Sequence, residues 1–113
     1  EIPIWIGGHA DVALRRACRV GKGWHGGFLS IADTSDTVKK LKEFGHNDEF
    51  VISMRTNWDP LEDDSDRIMS EIEGYIHAGV THFVPEPRQR DLDNYKRSVE
   101  TLAHLFNQVG VPL

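Results

Sequence analysis

The feature that most constrains this chain is its alternation. Short apolar runs rich in β-branched and aromatic residues take turns with longer stretches of helical spacing. Ile2 to Ile6 reads as a strand buried on both faces, the pattern of a parallel sheet. From Ala10 to Val20, Ala10, Ala13, Leu14, Ala17 and Cys18 fall at helical spacing, with Arg15, Arg16 and Arg19 opposite. Gly21 and Gly23 close that helix. Gly23 to Leu29 is a glycine-rich strand. Thr34 or Ser35 is positioned to cap a second helix, with Val38, Leu41 and Phe44 on its inner face and Gly45 as its stop. Phe50 to Met54 is a third strand. The acidic stretch from Trp58 to Asp66 is expected to be a solvated loop. Asp64 or Ser65 caps a third helix carrying Ile68, Ile72, Tyr75 and Ile76, and Gly79 ends it. Thr81 to Val84 is a fourth strand, stopped by Pro85 and Pro87. A last helix over Asp91–Val109 places Leu92, Tyr95, Val99, Leu102 and Phe106 on one stripe, before Gly110.

The order is therefore βαβαβαβα. Such alternation implies parallel strands joined by right-handed crossovers. Four units are an awkward number, because an open four-stranded sheet leaves two edges that proteins normally cover. A (β/α)8 barrel has eight strands and about 250 residues. At 113 residues the fold class is α/β, with four βα units matching half such a barrel. Residue 1 is glutamate and not methionine, so residues 1–113 are expected to be one half-barrel unit cut from a larger protein. A doubly wound sheet of flavodoxin type also suits this length. Receiver domains of that type need clustered aspartates at strand ends. Here the ends read WIGG, GWHGG, RTNW and VPEPR.

Bulk properties exclude several classes. A formal net charge of -5 argues against nucleic acid, which requires a basic face. No apolar run approaches the roughly 20 residues that cross a bilayer, so no membrane partner is expected. A single cysteine, Cys18, rules out an internal disulfide and suits a reducing, cytoplasmic setting. On its apolar helix face Cys18 reads as packing. His9, His77, His82 and His104 lack the helical i,i+4 pair and third ligand of a metal site, so no metal is expected.

The functional signal lies in Gly7-Gly8. A glycine pair at the carboxyl end of a parallel strand lets backbone approach a ligand closely. The helix that follows offers unpaired N–H groups and the positive end of its dipole. Together they suit a phosphate, although strand-to-helix turns also use glycine for steric reasons alone.

The wider string resembles the luciferase-like family of flavin- and deazaflavin-dependent oxidoreductases. The resemblance runs through PIWIGG, an arginine- and alanine-rich helix, and GKGWHG. It is carried by Pro3, Trp5, Gly7, Gly8, Ala13, Leu14, Arg15, Arg16, Ala17, Arg19, Gly21, Gly23, Trp24 and His25, and further on by Tyr75, Ala78, Gly79 and Val80 in GYIHAGVTHFVP. It implies a (β/α)8 barrel in which this chain supplies strands five to eight. It also implies that Gly7, Gly8 and the amide of His9 line the phosphate end of FMN or of a deazaflavin coenzyme of the F420 type. Lys22 departs from the family's usual aspartate and reads as surface charge.

Other candidates follow from position. Trp24 and His25 end the second strand, where they line either a cofactor ring or the core. Arg55, after the third strand, suits a carboxylate or phosphate of substrate or cofactor, or an ion pair with the acidic loop. Arg88 and Arg90 are weaker versions of the same idea. The resemblance puts the groups nearest the chemistry in the absent first half, so no catalytic residue is assigned. The expected function is the C-terminal part of a flavin- or deazaflavin-dependent oxidoreductase or monooxygenase acting on a small molecule, inactive as this fragment, and completed by the missing N-terminal half-barrel. The alternative is a free-standing half-barrel that binds a phosphorylated ligand, or pairs with a second copy, without catalysis.

Overall fold

A computed structural model describes residues 2–46 and 48–111. Glu1, on which the expectation of upstream protein rests, lies outside the described residues. Eight elements alternate: β1 (Trp5–Gly7), α1 (Asp11–Val20), β2 (Gly23–Gly27), α2 (Ile31–Phe44), β3 (Val51–Thr56), α3 (Ser65–Ala78), β4 (His82–Pro85) and α4 (Leu92–Gln108). The strands form one sheet in the order β1-β2-β3-β4, and every pair is parallel. This is the α/β fold of four βα units that the alternation implies.

Strand register separates the two faces. Ile6, Trp24 and Ile52 are in register, as are Gly26, Met54 and Phe83. Side chains alternate across a strand, so these rows share the face that meets the helices. Trp24, Ile52 and Met54 are buried there with Leu14 and Ala17 of α1, Val38 and Leu41 of α2, Ile68 and Ile72 of α3, and Leu102 and Leu105 of α4. Trp58, Tyr75, Phe83 and Phe106 add an aromatic cluster, with ring centroids 5.2–6.4 Å apart. Offset and edge-on packing of this kind adds to the area each ring removes from water. The opposite face carries Trp5, Gly7, His25, Gly27, Ser53, Arg55, His82 and Val84, and among the described residues no helix lies over it.

Three expectations need correction. The run from Ile2 to Ile6 is not buried on both faces: Ile2 and Ile4 are exposed, and β1 is only three residues long. As an edge strand it has one neighbour among the described residues, and none of the described helices covers its open face. The second helix starts a turn earlier than Thr34 or Ser35 would place it. Ser30 caps it by accepting the Asp33 amide hydrogen at 3.1 Å, and Thr34 is buried inside the helix. The stripe on α4 is rotated. Ser98, Leu102, Leu105 and Phe106 are buried, while Leu92, Tyr95 and Val99 are exposed. As the last helix in the row, α4 has a helical neighbour on the α3 side alone.

The acidic loop is also not simply wet. Asp59 is fully buried and accepts four hydrogen bonds. These come from Ser98 Oγ (2.8 Å), Gln89 Nε2 (2.8 Å) and the amides of Leu61 (3.0 Å) and Arg88 (3.1 Å). Burial pushes its carboxyl up, but those donors outweigh burial and hold it below the usual range. The loops after β3 and β4 are thereby tied to α4 at the end of the sheet where the strands deliver their carboxyl termini.

Candidate functional site

The β1–α1 turn sits at that same end. Gly8 has φ +101°, a conformation that side-chain-bearing residues rarely adopt, and a Cβ there would meet Ala13 Cβ at 2.9 Å. Gly7 is under no such steric demand, since a Cβ would touch only the His25 carbonyl at 3.5 Å. Trp24 Nε1–H donates to the Gly8 carbonyl at 2.8 Å and fixes the turn from below. The helix then starts at Ala10, which has no side-chain oxygen to cap it. The other three helices are each capped by a side chain: Ser30, Asp64 and Asp91. The first-turn amides of α1 therefore lack the side-chain acceptor the other helices have, next to an exposed glycine pair. Asp11 stands in this first turn too, and Lys40 pairs with it at 3.1 Å, offsetting its charge. The His9 ring is exposed and leans edge-on toward Trp24, centroids 6.1 Å apart.

The remaining candidates are divided by the two faces of the sheet. Trp24 is buried on the helix side, so it reaches the turn only through its indole N–H. His25 points to the open face, where its Nδ1 lies 2.8 Å from Ser53 Oγ. Burial, then the charges of Arg55 and His82, push the His25 imidazole below the usual histidine range. Arg55 is half-exposed on the same face and lies 3.5 Å from Glu86, not from the acidic loop. That loop is held instead by Arg88. Its guanidinium grips Asp63 with two bonds (2.8 and 3.1 Å) and the Asn57 carbonyl at 2.6 Å. Arg88 is thereby committed to structure, and the hydrogen bonds it gives hold Asp63 below the ordinary carboxylate range. Lys22 is exposed at the start of β2, the opposite end of the strands from Gly7-Gly8. Cys18 packs against α2 and donates to the Leu41 carbonyl at 3.4 Å.

Sequence reasoning passed over three residues. Ser53 and His82 join His25 in a hydrogen-bonded row, and only strand register brings them together. Phe28, just past β2, is exposed yet has φ 56°, in the left-handed region. A bulky residue held there is strained, and such strain gathers at functional sites. Phe28 and Arg55 line a cavity of about 370 Å³ at the carboxyl end of β3, together with Asn57, Arg67, Glu71 and Arg88. Among the described residues, no cluster of three or more histidine, cysteine or acidic side chains is placed to hold a metal, and no helix is long and apolar enough to cross a membrane.

Fold and site together define an α/β chain of four parallel βα units, the shape of half a TIM barrel. Solved structures bear this out. The chain is similar to an F420-dependent secondary alcohol dehydrogenase in complex with an F420-acetone adduct, at a TM-score of 0.72 and 14% identity, covering 96% of this chain and 48% of that one. It is also similar to phosphonopyruvate hydrolase, at a TM-score of 0.60 and 12% identity, with the same coverage. The chain thus spans about half the length of these structures. No family model matches it, and no curated protein matches its sequence.

Proposed function

We propose that this chain is the C-terminal half of a luciferase-like barrel oxidoreductase that uses a deazaflavin of the F420 type, and that Gly7, Gly8 and the His9 amide hold the cofactor's phosphate. The β1–α1 turn carries this reading. Its exposed glycine pair precedes a helix whose first turn has no side-chain cap, at the end of the strands where TIM barrels place phosphate sites. The turn fits such a group: Gly8 is backbone that a side chain could not replace, and Gly7 leaves open space beside it. Bound there, a deazaflavin would supply hydride transfer at its ring, and FMN would add oxygen activation. The protein's own part is to hold the phosphate at the turn. Arg55 offers a positive charge on the open face, and Phe28 an apolar ring at its mouth.

The half-barrel part is supported by what is left uncovered. Val12 and Val20 on α1, and Leu92, Tyr95 and Val99 on α4, are exposed on the two outermost helices. Ile2, Ile4 and Trp5 are exposed along the β1 edge. A second half-barrel would cover both ends of the row at once. The same surfaces suit the second reading, in which two copies of this chain close into one ring.

The test is a fluorescence titration of F420-type deazaflavin and of FMN onto the full-length protein, with Gly7→Val beside the wild type. Gly7→Val leaves the fold intact, because its Cβ has room. Deazaflavin binding is expected, weakened roughly tenfold or more in the variant, or about 1.4 kcal/mol. Equal affinity in the two proteins removes the glycine turn from the site. No binding of either cofactor refutes the oxidoreductase reading.

A further inference from the structure

On the open face, three neighbouring strands align one polar row. His25, Ser53 and His82 are in register on β2, β3 and β4. Ser53 Oγ lies 2.8 Å from His25 Nδ1 and 2.9 Å from His82 Nδ1, and the serine is fully buried beneath the two rings. A hydroxyl has one proton to give. In the neutral row, therefore, one imidazole donates Nδ1–H to the serine oxygen, and the serine donates to the bare Nδ1 of the other. Neither Nε2 is used by the row. The two ends differ. Beside His25, its β1 partner is Gly7 and Gly27 stands two residues on, so neither of these neighbours carries a side chain, and His25 is half-exposed. His82 is exposed, but the Trp5 ring stands edge-on to it at 5.0 Å and narrows access to that end.

We propose that His25, Ser53 and His82 act as one acid–base unit that carries a proton from water at His82 to a ligand seated on the open face at His25. The transfer starts with His82 carrying its proton on Nδ1 and His25 carrying its own on Nε2. A proton from water joins His82 Nε2, the hydroxide left behind passing to bulk solvent, and His82 Nδ1–H passes to Ser53 Oγ. The serine's original proton passes to His25 Nδ1, and His25 Nε2–H passes to an alkoxide oxygen of the ligand, which becomes the alcohol. The row ends neutral with its polarity reversed, and running the steps backward takes a proton from an alcohol. Arg55 on β3 faces His25 from the next layer of the same face, and Glu86 after β4 pairs with it. With His82, these are the charged and titratable groups facing His25 among the described residues, where β1 presents Trp5 and Gly7. The ligand class is thus an alcohol, or its alkoxide, with an anionic group for Arg55. The row is independent of the cofactor reading, because it stands whichever group binds at Gly7-Gly8.

Long-range 1H–15N NMR of the imidazoles tests this without a cofactor. At pH 8 the Nδ1–H fractions of the two rings are expected to sum to one. Ser53→Ala should abolish the complementarity. Because Ser53 is buried and its replacement can disturb folding, His82→Gln at an exposed position is the second arm, and it should raise the His25 midpoint. Inorganic phosphate, as an anionic probe, should also raise that midpoint in the wild type and leave it in place in Arg55→Gln. Both rings in the same tautomer, or an unchanged His25 curve in His82→Gln, would overturn the row as a unit. No phosphate effect in the wild type would overturn the ligand end at His25.

Discussion

Replacing Asp59 with asparagine probes the joint that holds the loops after β3 and β4 to α4. Asp59 Oδ1 accepts from Leu61 N and Ser98 Oγ, and Oδ2 from Arg88 N and Gln89 Nε2. Asparagine keeps one acceptor and turns the other into a donor that faces two donors. Gln89 can flip its amide and recover one bond, but the Arg88 amide cannot. One charge-assisted bond is lost outright, at about 1.5–3 kcal/mol, and the bonds that remain lose their charge. A net cost of about 3 kcal/mol follows, against a total stability of about 5–15 kcal/mol for a domain. Thermal unfolding followed by circular dichroism at pH 7 should therefore show Asp59→Asn melting roughly 10 °C or more below the wild type. Ser98→Ala alone should cost about 1.5 kcal/mol and much less once Asp59 is already asparagine, since the two share one bond. If Asp59→Asn unfolded within about 1 kcal/mol of the wild type, the buried carboxylate would not be the organising group of these loops.

Further expectations follow from other contacts. Tyr75→Phe, which removes the hydroxyl bond to the Leu29 carbonyl, should destabilise by about 1 kcal/mol, measured by urea unfolding; a more stable variant would contradict it. Phe28→Gly relieves left-handed strain but adds chain entropy, so its stability should stay within about 0.5 kcal/mol of the wild type, while deazaflavin affinity falls if the ring lies at the mouth of the site. Stability should drop in acid. The folded state holds His25, Asp59 and Asp63 below their ordinary values, so the unfolded chain binds more protons as pH falls. The His25 share is lost as pH falls from about 6.5, and the carboxylate share below about pH 4. A urea midpoint that rose between pH 7 and pH 4 would contradict this sign.

Much of the fold is legible in the sequence, because each unit announces itself locally. Apolar runs mark the strands, Gly45 and Gly79 close α2 and α3, Asp64 caps α3 as its spacing implies, and α4 begins after Asp91, where its stripe is expected to start. The errors occur where burial is not hydrophobic. Ser98 and Asp59 are buried because they bond to each other, so a hydropathy stripe drawn through α4 passes over the true contact face. The edge position of β1 and the outer position of α4 are likewise invisible from within either segment. The glycine turn was found because its residues are contiguous. The His25–Ser53–His82 row was not, because its members are about 28 residues apart and share a face only once strand register is known.

The central claim is that a second half-barrel covers the open face and completes the cofactor site. Native mass spectrometry of the protein isolated from its own cells, in the presence of F420-type deazaflavin, tests both parts in one spectrum. A species of roughly 25 kDa or more, the size of a whole barrel, is expected to carry one cofactor. A species of 12.8 kDa with no cofactor bound would contradict it.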